Sequence, residues 1–255
     1  MNPWIGILGY PLTKSLSPAY HQEKLKNAGL KVDFRVLEIV PEKDPDCLGF
    51  SVTMPYKERI LFFCDAVDDF AAKVRAVNCV VCKEGRWRGM NTDALAFWEV
   101  LQAWSPVPSK NVKVVFLGCG ATTRSLSMML AQKGYRSFVF KNRSLDKAQL
   151  WAEQLKDVFC DVSICVEPLE QKFSGEKVFV LNTTPLGAYE DAPNWEKILD
   201  LKPPAWIFDV NYQEPCHPRE GGDLIKQCRT RCFYTMGGLP MFMRQADLAF
   251  QNWFS

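Results

Sequence analysis

Residues 112–123 read VKVVFLGCGATT, and this stretch decides the fold. The apolar run over 112–117 is typical of a strand buried on both faces of a parallel sheet. Gly118-Cys-Gly120 follows at once and leads into a predicted helix, which is how a doubly wound nucleotide-binding unit begins. Glycine lets the backbone approach a phosphate, and the helix N-terminus offers free N–H groups to an anion. Thr123 stands at the third glycine position. Taken alone, the loop is equally compatible with a tight strand–helix turn that contains structural glycines.

The next strand end indicates which dinucleotide this loop binds. Asn142-Arg143-Ser144 lies about 20 residues further on, after a predicted strand over Ser137–Phe140, and Lys147 follows. No acidic residue stands at this strand end, where one would bind the ribose 2′-hydroxyl of NAD. Arginine with its bidentate fork and lysine as a point charge suit a 2′-phosphate instead. The stretch therefore predicts NADP(H); the alternative is an exposed helix start with Ser144 as N-cap.

Strands and helices alternate along the rest of the chain. Further strands are predicted over Trp4–Leu8, Asp33–Val40, Gly49–Thr53, Asn78–Lys83 (turning at Glu84-Gly85 into a hairpin with Arg86–Arg88), Val178–Leu181 and Trp206–Val210. Helices are predicted from Ser17 as N-cap with Pro18 at the first helical position to about Ala28, over Ala94–Ala103, from the glycine loop to Lys133, and over Asp146–Lys156 and Pro240–Phe254. Two prolines in Ser105–Ser109 mark a linker, so we predict an α/β protein of two domains, a mixed-sheet domain followed by a doubly wound one.

Composition and charge indicate a folded globular chain. The 255 residues are 47% hydrophobic and 24% charged, with a net charge of +2. This near balance gives no support to a nucleic-acid partner. The N-terminus lacks the features of a signal peptide, and no 18 apolar residues run together, so we expect a cytoplasmic protein and no membrane span.

Cysteine spacing bears on a metal site. The ten cysteines of this long chain are expected to be reduced thiols. Cys79-Val-Val-Cys82 has the spacing of half a zinc site, but its apolar middle pair is typical of a strand. The second pair, Cys228 and Cys232, has three residues between and no histidine nearby. We therefore predict no metal and keep a zinc site as the alternative.

Two polar clusters in the first domain have the residue types for proton transfer. Lys57 ends the stretch SVTMPYK, and Asp93 ends Asn91-Thr-Asp93. A lysine that donates a proton to a developing alkoxide, oriented by a carboxylate, is what carbonyl reduction needs besides a hydride donor. Spacing does not show that the two side chains meet, so a surface lysine and a helix-capping aspartate remain the alternative.

Eight short motifs, in order and spread over nearly the whole chain, resemble the shikimate dehydrogenase family. They are Ser15-Leu-Ser17-Pro18, Val52-Thr53-Met-Pro55-Tyr-Lys57, Ala76-Val-Asn78, Asn91-Thr92-Asp93, the Gly118 loop, Asn142-Arg143-Ser144, Asn182-Thr-Thr-Pro185-x-Gly187 and Gly238-Leu-Pro-Met241-x-x-x-Gln245. The resemblance implies NADPH-dependent, reversible reduction of 3-dehydroshikimate to shikimate, a step toward chorismate and the aromatic amino acids. The partner is then a small molecule, and the chain a monomer or homodimer.

The resemblance also implies roles for individual residues. Lys57 and Asp93 become the catalytic pair. Ser15 and Ser17, with Tyr212, would bind the substrate carboxylate, while Thr53, Asn78, Asp93 and Gln245 would meet the ring hydroxyls. NADP(H) would be held by Gly118, Gly120, Ala121, Asn142, Arg143, Ser144, Lys147, Thr184, Gly238 and Met241.

The family's architecture implies that the last helix returns to the substrate domain. The substrate domain would then comprise residues 1–104 plus 238–255, and the Rossmann NADP-binding domain residues 105–237, with the nicotinamide in the cleft between them. Departures from the family pattern are Ser51 in place of Asn, Ala121 and Pro240 in place of Gly, and Ser144 in place of Thr. Pro240 fixes φ and removes an N–H beside the expected nicotinamide site.

Three alternatives stay open. A quinate or aminoshikimate dehydrogenase would keep the same catalytic pair, and a catalytically idle NADP(H)-binding sensor would bind cofactor without turnover. His21, one helical turn after Ser17, is compatible with a general base, but we expect a structural role because the site already has an acid–base pair.

Overall fold

The structure is a computed structural model that describes residues 2–13, 15–187, 191, 193–212, 223–228 and 233–255. Its chain divides into two compact units, Met1–Phe97 with Phe242–Ser255 and Trp98–Met241. The domain boundaries predicted from the sequence, after residues 104 and 237, stay a prediction.

The first unit is built around a mixed sheet. Its elements, in chain order, are β1 (Trp4–Leu8), α1 (Ser17–Asn27), β2 (Asp33–Leu37), β3 (Cys47–Val52), the 3₁₀ helix η1 (Arg59–Phe63), β4 (Ala66–Val67), α2 (Asp69–Val74), β5 (Cys79–Lys83), β6 (Arg86–Met90) and α3 (Asp93–Ala103), which continues into the second unit. Six strands, counted over the described residues, are ordered β2-β1-β3-β5-β6-β4. β1 pairs in parallel with β2 and β3, whereas β5 is antiparallel to β3 and β6. The predicted mixed sheet is therefore confirmed, with Glu84 and Gly85 both at positive φ in the predicted hairpin turn.

The start of α1 differs from the prediction by one residue. Leu16, with φ −79° and ψ −13°, is the N-cap, so Ser17 is already helical and Pro18 lies in the first turn. The N–H of Ser17 donates to Oγ of Ser15 at 3.3 Å. The hydroxyl of Ser15 thus satisfies a free helix N–H, and the predicted N-cap role of Ser17 was wrong.

The second unit contains an all-parallel sheet. Its elements are β7 (Lys113–Leu117), α4 (Ala121–Gln132), β8 (Ser137–Asn142), α5 (Leu145–Val158), β9 (Ser163–Pro168), β10 (Phe173–Asn182), α6 (Trp195–Ile198), β11 (Leu199–Asp209), α7 (Asp223–Cys228), β12 (Tyr234–Gly237) and α8 (Leu239–Trp253), most of which belongs to the first unit. Over the described residues the strand order is β12-β11-β10-β7-β8-β9. The order reverses between β7 and β10, and ligands of doubly wound sheets bind beyond the carboxyl ends of the strands at such a point. This confirms the predicted Rossmann architecture.

Helix α8 covers one face of the first sheet, as the family resemblance implied. Ala249 and Trp253 are buried in one apolar cluster with Ile5 and Leu25. The indole N–H of Trp253 donates to the backbone carbonyl of Val80 at 3.0 Å. Across the chain as far as it is described, no helix has the length and apolar character needed to span a membrane.

Candidate active site

Lys57 and Asp93 meet at the carboxyl-end side of the first sheet. Lys57 follows β3, and Asp93 is the first residue of α3. Lys57 Nζ lies 2.6 Å from Asp93 Oδ2, and the two side chains are only 17% and 7% exposed. The alternative interpretation of Lys57 as a surface lysine and of Asp93 as only a helix cap is therefore wrong. Low exposure limits screening by water, so the carboxylate holds the ammonium in one orientation.

Asn78 fixes the other oxygen of Asp93. Its side-chain amide donates to Asp93 Oδ1 at 2.8 Å and to Thr92 Oγ1 at 2.9 Å, while its Oδ1 accepts from the backbone N–H of Thr92 at 2.7 Å. The Asn78 amide also lies 3.3 Å from Gln245 Oε1, and Thr92 Oγ1 donates to the Gln245 carbonyl at 3.2 Å. The structure thus brings together Lys57, Asn78, Asp93 and Gln245.

Thr92 is a member of this network to which the sequence analysis assigned no role. It is 4% exposed and bonds to both Asn78 and Gln245. Its position between Asn91 and Asp93 in a polar triplet was the feature of the sequence that could have indicated a role in the site. A buried, fully bonded hydroxyl rigidifies its neighbours, so Thr92 supports the position of Asp93.

The other predicted substrate residues in the first unit are Ser15, Ser17 and Thr53. Ser17 is 5% exposed and lies in the first turn of α1, Ser15 accepts its N–H, and Thr53 follows β3. Among the described residues none of these hydroxyls bonds to Lys57 or Asp93. Tyr212 follows β11 and belongs to the second unit.

His21 is a buried packing residue in the first unit. Its ring is fully buried and stacks on Phe34, with a centroid distance of 5.8 Å, and lies 5.0 Å from Trp253. Neither ring nitrogen has a hydrogen-bond partner among the described residues. Burial, with a smaller contribution from the nearby ammonium of Lys24 and an opposing one from Asp247, lowers the pKa of His21 from 6.5 to about 4. A neutral ring without polar contacts has the structural role we expected.

Cys79 and Cys82 do not form a zinc site. Both belong to β5, but Cys79 packs in the cluster with Ile5, whereas Cys82 packs in the opposite cluster with Trp4. Thiols on opposite faces of a sheet cannot bind one ion. No group of three metal-ligating side chains occurs in the described part of the chain, and Cys232 lies outside it.

The glycine loop after β7 has the geometry of an anion site. Gly118 has a φ of +97°, and a Cβ there would lie 2.9 Å from Cγ2 of Thr184. Gly120 is the N-cap of α4 and has no side-chain cap. A Cβ at Gly120 would meet nothing within 4 Å, so open space lies in front of the first turn of α4, which starts at Ala121. The free N–H groups of this turn fit a pyrophosphate.

Two threonines join the ends of β7 and β10. Thr123 Oγ1 lies 2.7 Å from Thr183 Oγ1, which donates to the Leu117 carbonyl at 2.8 Å. Thr184 Oγ1 donates to Asn182 Oδ1 at 2.6 Å. Thr123 and Thr183 were not among the predicted site residues. Thr123, at the position of the third glycine in the motif, therefore has a structural role. Its hydroxyl fixes the loop at the point where the strand order reverses.

The basic strand end fits a 2′-phosphate. Asn142 Oδ1 accepts the N–H of Cys119 at 3.1 Å, which ties the end of β8 to the glycine loop. Arg143, Ser144 and Lys147 are exposed. Ser144 is the N-cap of α5 by backbone geometry, but its side chain makes no cap hydrogen bond. Within the described residues neither Arg143 nor Lys147 forms an ion pair, so both cations are available to a ligand.

The last predicted cofactor residues lie where α8 begins. The N–H of Gly238 donates to the Asn211 carbonyl at 3.2 Å, and a Cβ there would lie 2.0 Å from the Val210 carbonyl oxygen. Met241 is 6% exposed. Pro240 is the second residue of α8, where a backbone N–H has no helical partner. The departure at Pro240 therefore costs the helix no hydrogen bond.

Comparison with known proteins gives consistent results. The domain described as "Shikimate dehydrogenase substrate binding domain" matches residues 7–80. The shikimate dehydrogenase (NADP(+)) of Halothermothrix orenii is 30% identical over 98% of this chain and 90% of its own length. A solved shikimate dehydrogenase in complex with NADP+ is 25% identical, with a TM-score of 0.82 over 99% of this chain and 90% of that one. Another, from Thermus thermophilus in complex with NADP(H) and shikimate, is 25% identical, with a TM-score of 0.75 over 98% and 93%.

Proposed function

This chain belongs to the shikimate dehydrogenase family, and from that premise we propose that it reduces 3-dehydroshikimate reversibly to shikimate with NADPH. The observation that carries the proposal is the pair of Lys57 and Asp93, with Nζ and Oδ2 2.6 Å apart and both side chains largely buried. An oriented proton donor is the group that carbonyl reduction requires from the protein. Substrate and cofactor are the small-molecule partners.

Lys57 is the proposed proton donor. As hydride adds to the carbonyl carbon, negative charge develops on the oxygen, and the ammonium of Lys57 gives that oxygen a proton. Asp93 keeps the ammonium oriented through Oδ2, while Asn78 keeps Asp93 in place through Oδ1 at 2.8 Å. In the reverse direction Lys57 takes the hydroxyl proton. Asp93 is thus an orienting group for Lys57.

NADPH supplies the hydride when it is bound. The residues proposed to hold it are Gly118, Gly120 and Ala121 at the pyrophosphate, Asn142, Arg143, Ser144 and Lys147 at the 2′-phosphate, and Thr184, Gly238 and Met241 toward the nicotinamide. Support comes from the open space in front of Gly120 and from the exposure of Arg143 and Lys147. A bidentate guanidinium and a second cation suit a phosphate dianion better than a ribose hydroxyl.

Substrate binding is proposed for two groups of residues. Ser15, Ser17 and Tyr212 would bind the carboxylate, and Thr53, Asn78, Asp93 and Gln245 the ring hydroxyls. Short hydroxyls and amides read a polyol by hydrogen bonds, and such a site rejects analogues that lack a hydroxyl. We also propose the domain ranges 1–104 plus 238–255 and 105–237, a monomeric or homodimeric state and a cytoplasmic location.

Absorbance at 340 nm tests the proposal directly. Purified protein is mixed with shikimate and NADP+, then with NAD+ in place of NADP+, and then with quinate and each cofactor. We expect rapid reduction of NADP+ by shikimate and slow or no reaction in the other three mixtures. Turnover of quinate with NAD+ at the higher rate would favour the quinate dehydrogenase alternative. NADPH binding without any turnover would favour the sensor.

A further inference from the structure

A lysine side chain is fully buried beside the basic strand end. Lys141, on β8 and two residues before Arg143, is 0% exposed. Its Nζ donates to Glu167 Oε2 at 3.1 Å and to the carbonyls of Pro168 and Gln171 at 3.2 and 2.6 Å. Fully buried lysines are rare, and a buried ion pair contributes little net stability compared with an apolar core. A buried cation directly after the apolar run Phe138–Phe140 therefore calls for a reason other than packing.

The position of Glu167 beside Lys141 suggests why a lysine is buried there. It lies on β9 directly opposite Lys141 in the parallel register, one residue before the pair Asn142 and Pro168. Its side chain is 19% exposed, so its charge is only partly screened. Lys141 and Arg143 are two residues apart, so their α-carbons are at most about 7 Å from each other, and we take a separation on the order of 10 Å between the Glu167 carboxylate and a phosphate bound at Arg143. Without Lys141, the Glu167 carboxylate would lose the ammonium that pairs with it.

We propose that Lys141 is a positioning residue for cofactor choice: it neutralises Glu167 and so keeps the adenosine end of the site selective for a 2′-phosphorylated nucleotide. The inference rests on the proposed function only for the identity of the cofactor. Even at the dielectric constant of water, an unneutralised carboxylate roughly 10 Å from a phosphate dianion weakens binding of that phosphate about fourfold. A nucleotide with a free 2′-hydroxyl is almost unaffected. Lys141 thus acts on the difference between NADP and NAD and has no contact with the reacting atoms.

Binding to the full-length enzyme without substrate tests the inference. Dissociation constants for NADP+ and for NAD+ are measured by calorimetry in wild type, Lys141→Met, Glu167→Gln and the double variant, at about 0.01 M salt and again at about 1 M salt. We expect Lys141→Met to weaken NADP+ about fourfold more than NAD+, and the double variant to restore the wild-type ratio. Glu167→Gln alone should tighten NADP+ about fourfold and leave NAD+ unchanged. These differences should vanish at high salt, where the Debye length falls to about 3 Å.

Several results would overturn the inference. Equal weakening of both cofactors in Lys141→Met, without recovery in the double variant, would mean that Lys141 only holds the chain at Pro168 and Gln171. No change in Glu167→Gln would mean that its charge does not reach the phosphate. Glu167→Gln keeps all three acceptors of Lys141, so it decides the question even if Lys141→Met fails to fold in a thermal melt.

A variant of Arg143, which is proposed to contact the 2′-phosphate directly, gives the reference for the size of these effects. Arg143→Ala should weaken NADP+ at least tenfold with NAD+ nearly unchanged, and Lys156→Ala, at the exposed far end of the same helix α5, should change neither. If wild type prefers NADP+ but does not turn over shikimate, the proposed function fails and the inference about Lys141 still stands on these constants. If wild type binds NADP+ no better than NAD+, the inference fails whatever the substrate is.

Discussion

Lys57 is the residue on which catalysis is proposed to depend most. Removing its ammonium in Lys57→Ala takes away the proton donor, so kcat should fall by about 10²- to 10⁴-fold. NADPH affinity should stay near the wild-type value, because the residues proposed to hold the cofactor belong to the second unit. Steady-state rates and a fluorescence titration with NADPH measure the two effects. Lys73→Ala, which removes an exposed lysine of α2, is the matched control, and an unimpaired Lys57→Ala enzyme would remove Lys57 from the mechanism.

His21 makes stability depend on pH. The unfolded chain binds a proton at this histidine near pH 6.5, but the folded chain does so only near pH 4 because the ring is buried. Between these values the unfolded state holds more protons, so the free energy of unfolding falls as the pH is lowered and is fully retained above pH 6.5. From pH 7 to pH 5 we expect a loss of about 2 kcal/mol.

Urea unfolding at pH 7 and pH 5 measures this loss. In His21→Phe no group titrates at this position, and an aromatic ring still faces Phe34 and Trp253, so that part of the pH dependence should disappear. Lys24 and Asp247, the charged groups that influence His21, are unchanged in the variant. If wild type and variant lost the same stability, His21 would not be the group that titrates.

The turn between β7 and α4 uses two glycines for different reasons, and two variants separate them. Gly118→Ala forces a side chain into φ +97° and against Thr184, so it should destabilise the protein by about 1–3 kcal/mol. Gly120→Ala meets open space and should cost about 1 kcal/mol at most, as a changed N-cap. Its methyl group occupies the space proposed for the pyrophosphate, so NADPH should bind at least tenfold more weakly. Thermal melts and NADPH titrations of both variants check this; normal NADPH binding by Gly120→Ala would contradict the assigned phosphate site.

At the scale of elements, apolar patterning predicted most of the buried strands and one edge strand, β2, but missed the edge strands β4, β9 and β12. β7 is buried at four of its five positions, so its apolar run stood out. β9, at an edge of the second sheet, is partly exposed along most of Ser163–Pro168, and β12 is similar over Tyr234–Gly237. Such strands form because a neighbouring strand offers hydrogen bonds, which local sequence does not encode. The same limit applies to Lys141, whose burial depends on carbonyls 27 and 30 residues away.

At the scale of the molecule, the candidate site depends on contacts between residues that are far apart in the sequence, and the sequence does not show these contacts directly. Lys57 and Asp93 are 36 residues apart, and Asn78 and Gln245 are 167 apart. The residue types of Lys57 and Asp93 suggested proton transfer, whereas the family resemblance implied both hydroxyl recognition and the grouping of the residues. Only the folded chain shows that Asn78 bonds both to Asp93 and to Thr92. Proton transfer could therefore be proposed from individual residue types, whereas the hydrogen-bond network that orients the groups could not be predicted from the sequence.

Both ends of the chain contribute to the first unit, and this has a consequence for stability. Trp253, near the C-terminus, is 4% exposed, lies against Gly49 and donates to Val80. Trp151, in the second unit, is 2% exposed and its indole N–H donates to Ser127 Oγ at 3.0 Å. Each tryptophan is thus a buried anchor of one unit, and replacing either with alanine should cost about 3–5 kcal/mol.

Hydrogen–deuterium exchange shows which strands lose stability in each variant. In Trp253→Ala, amides of β3 and β5 should exchange faster while those of β7 and β10 keep their wild-type rates, because the lost contacts all lie in the first unit. Trp151→Ala should give the reverse distribution and should also weaken NADPH binding, since α5 begins beside Arg143. If amide exchange became equally faster in both sheets in either variant, the two units would unfold as one cooperative body. The proposed substrate and cofactor domains would then not be separate units of stability.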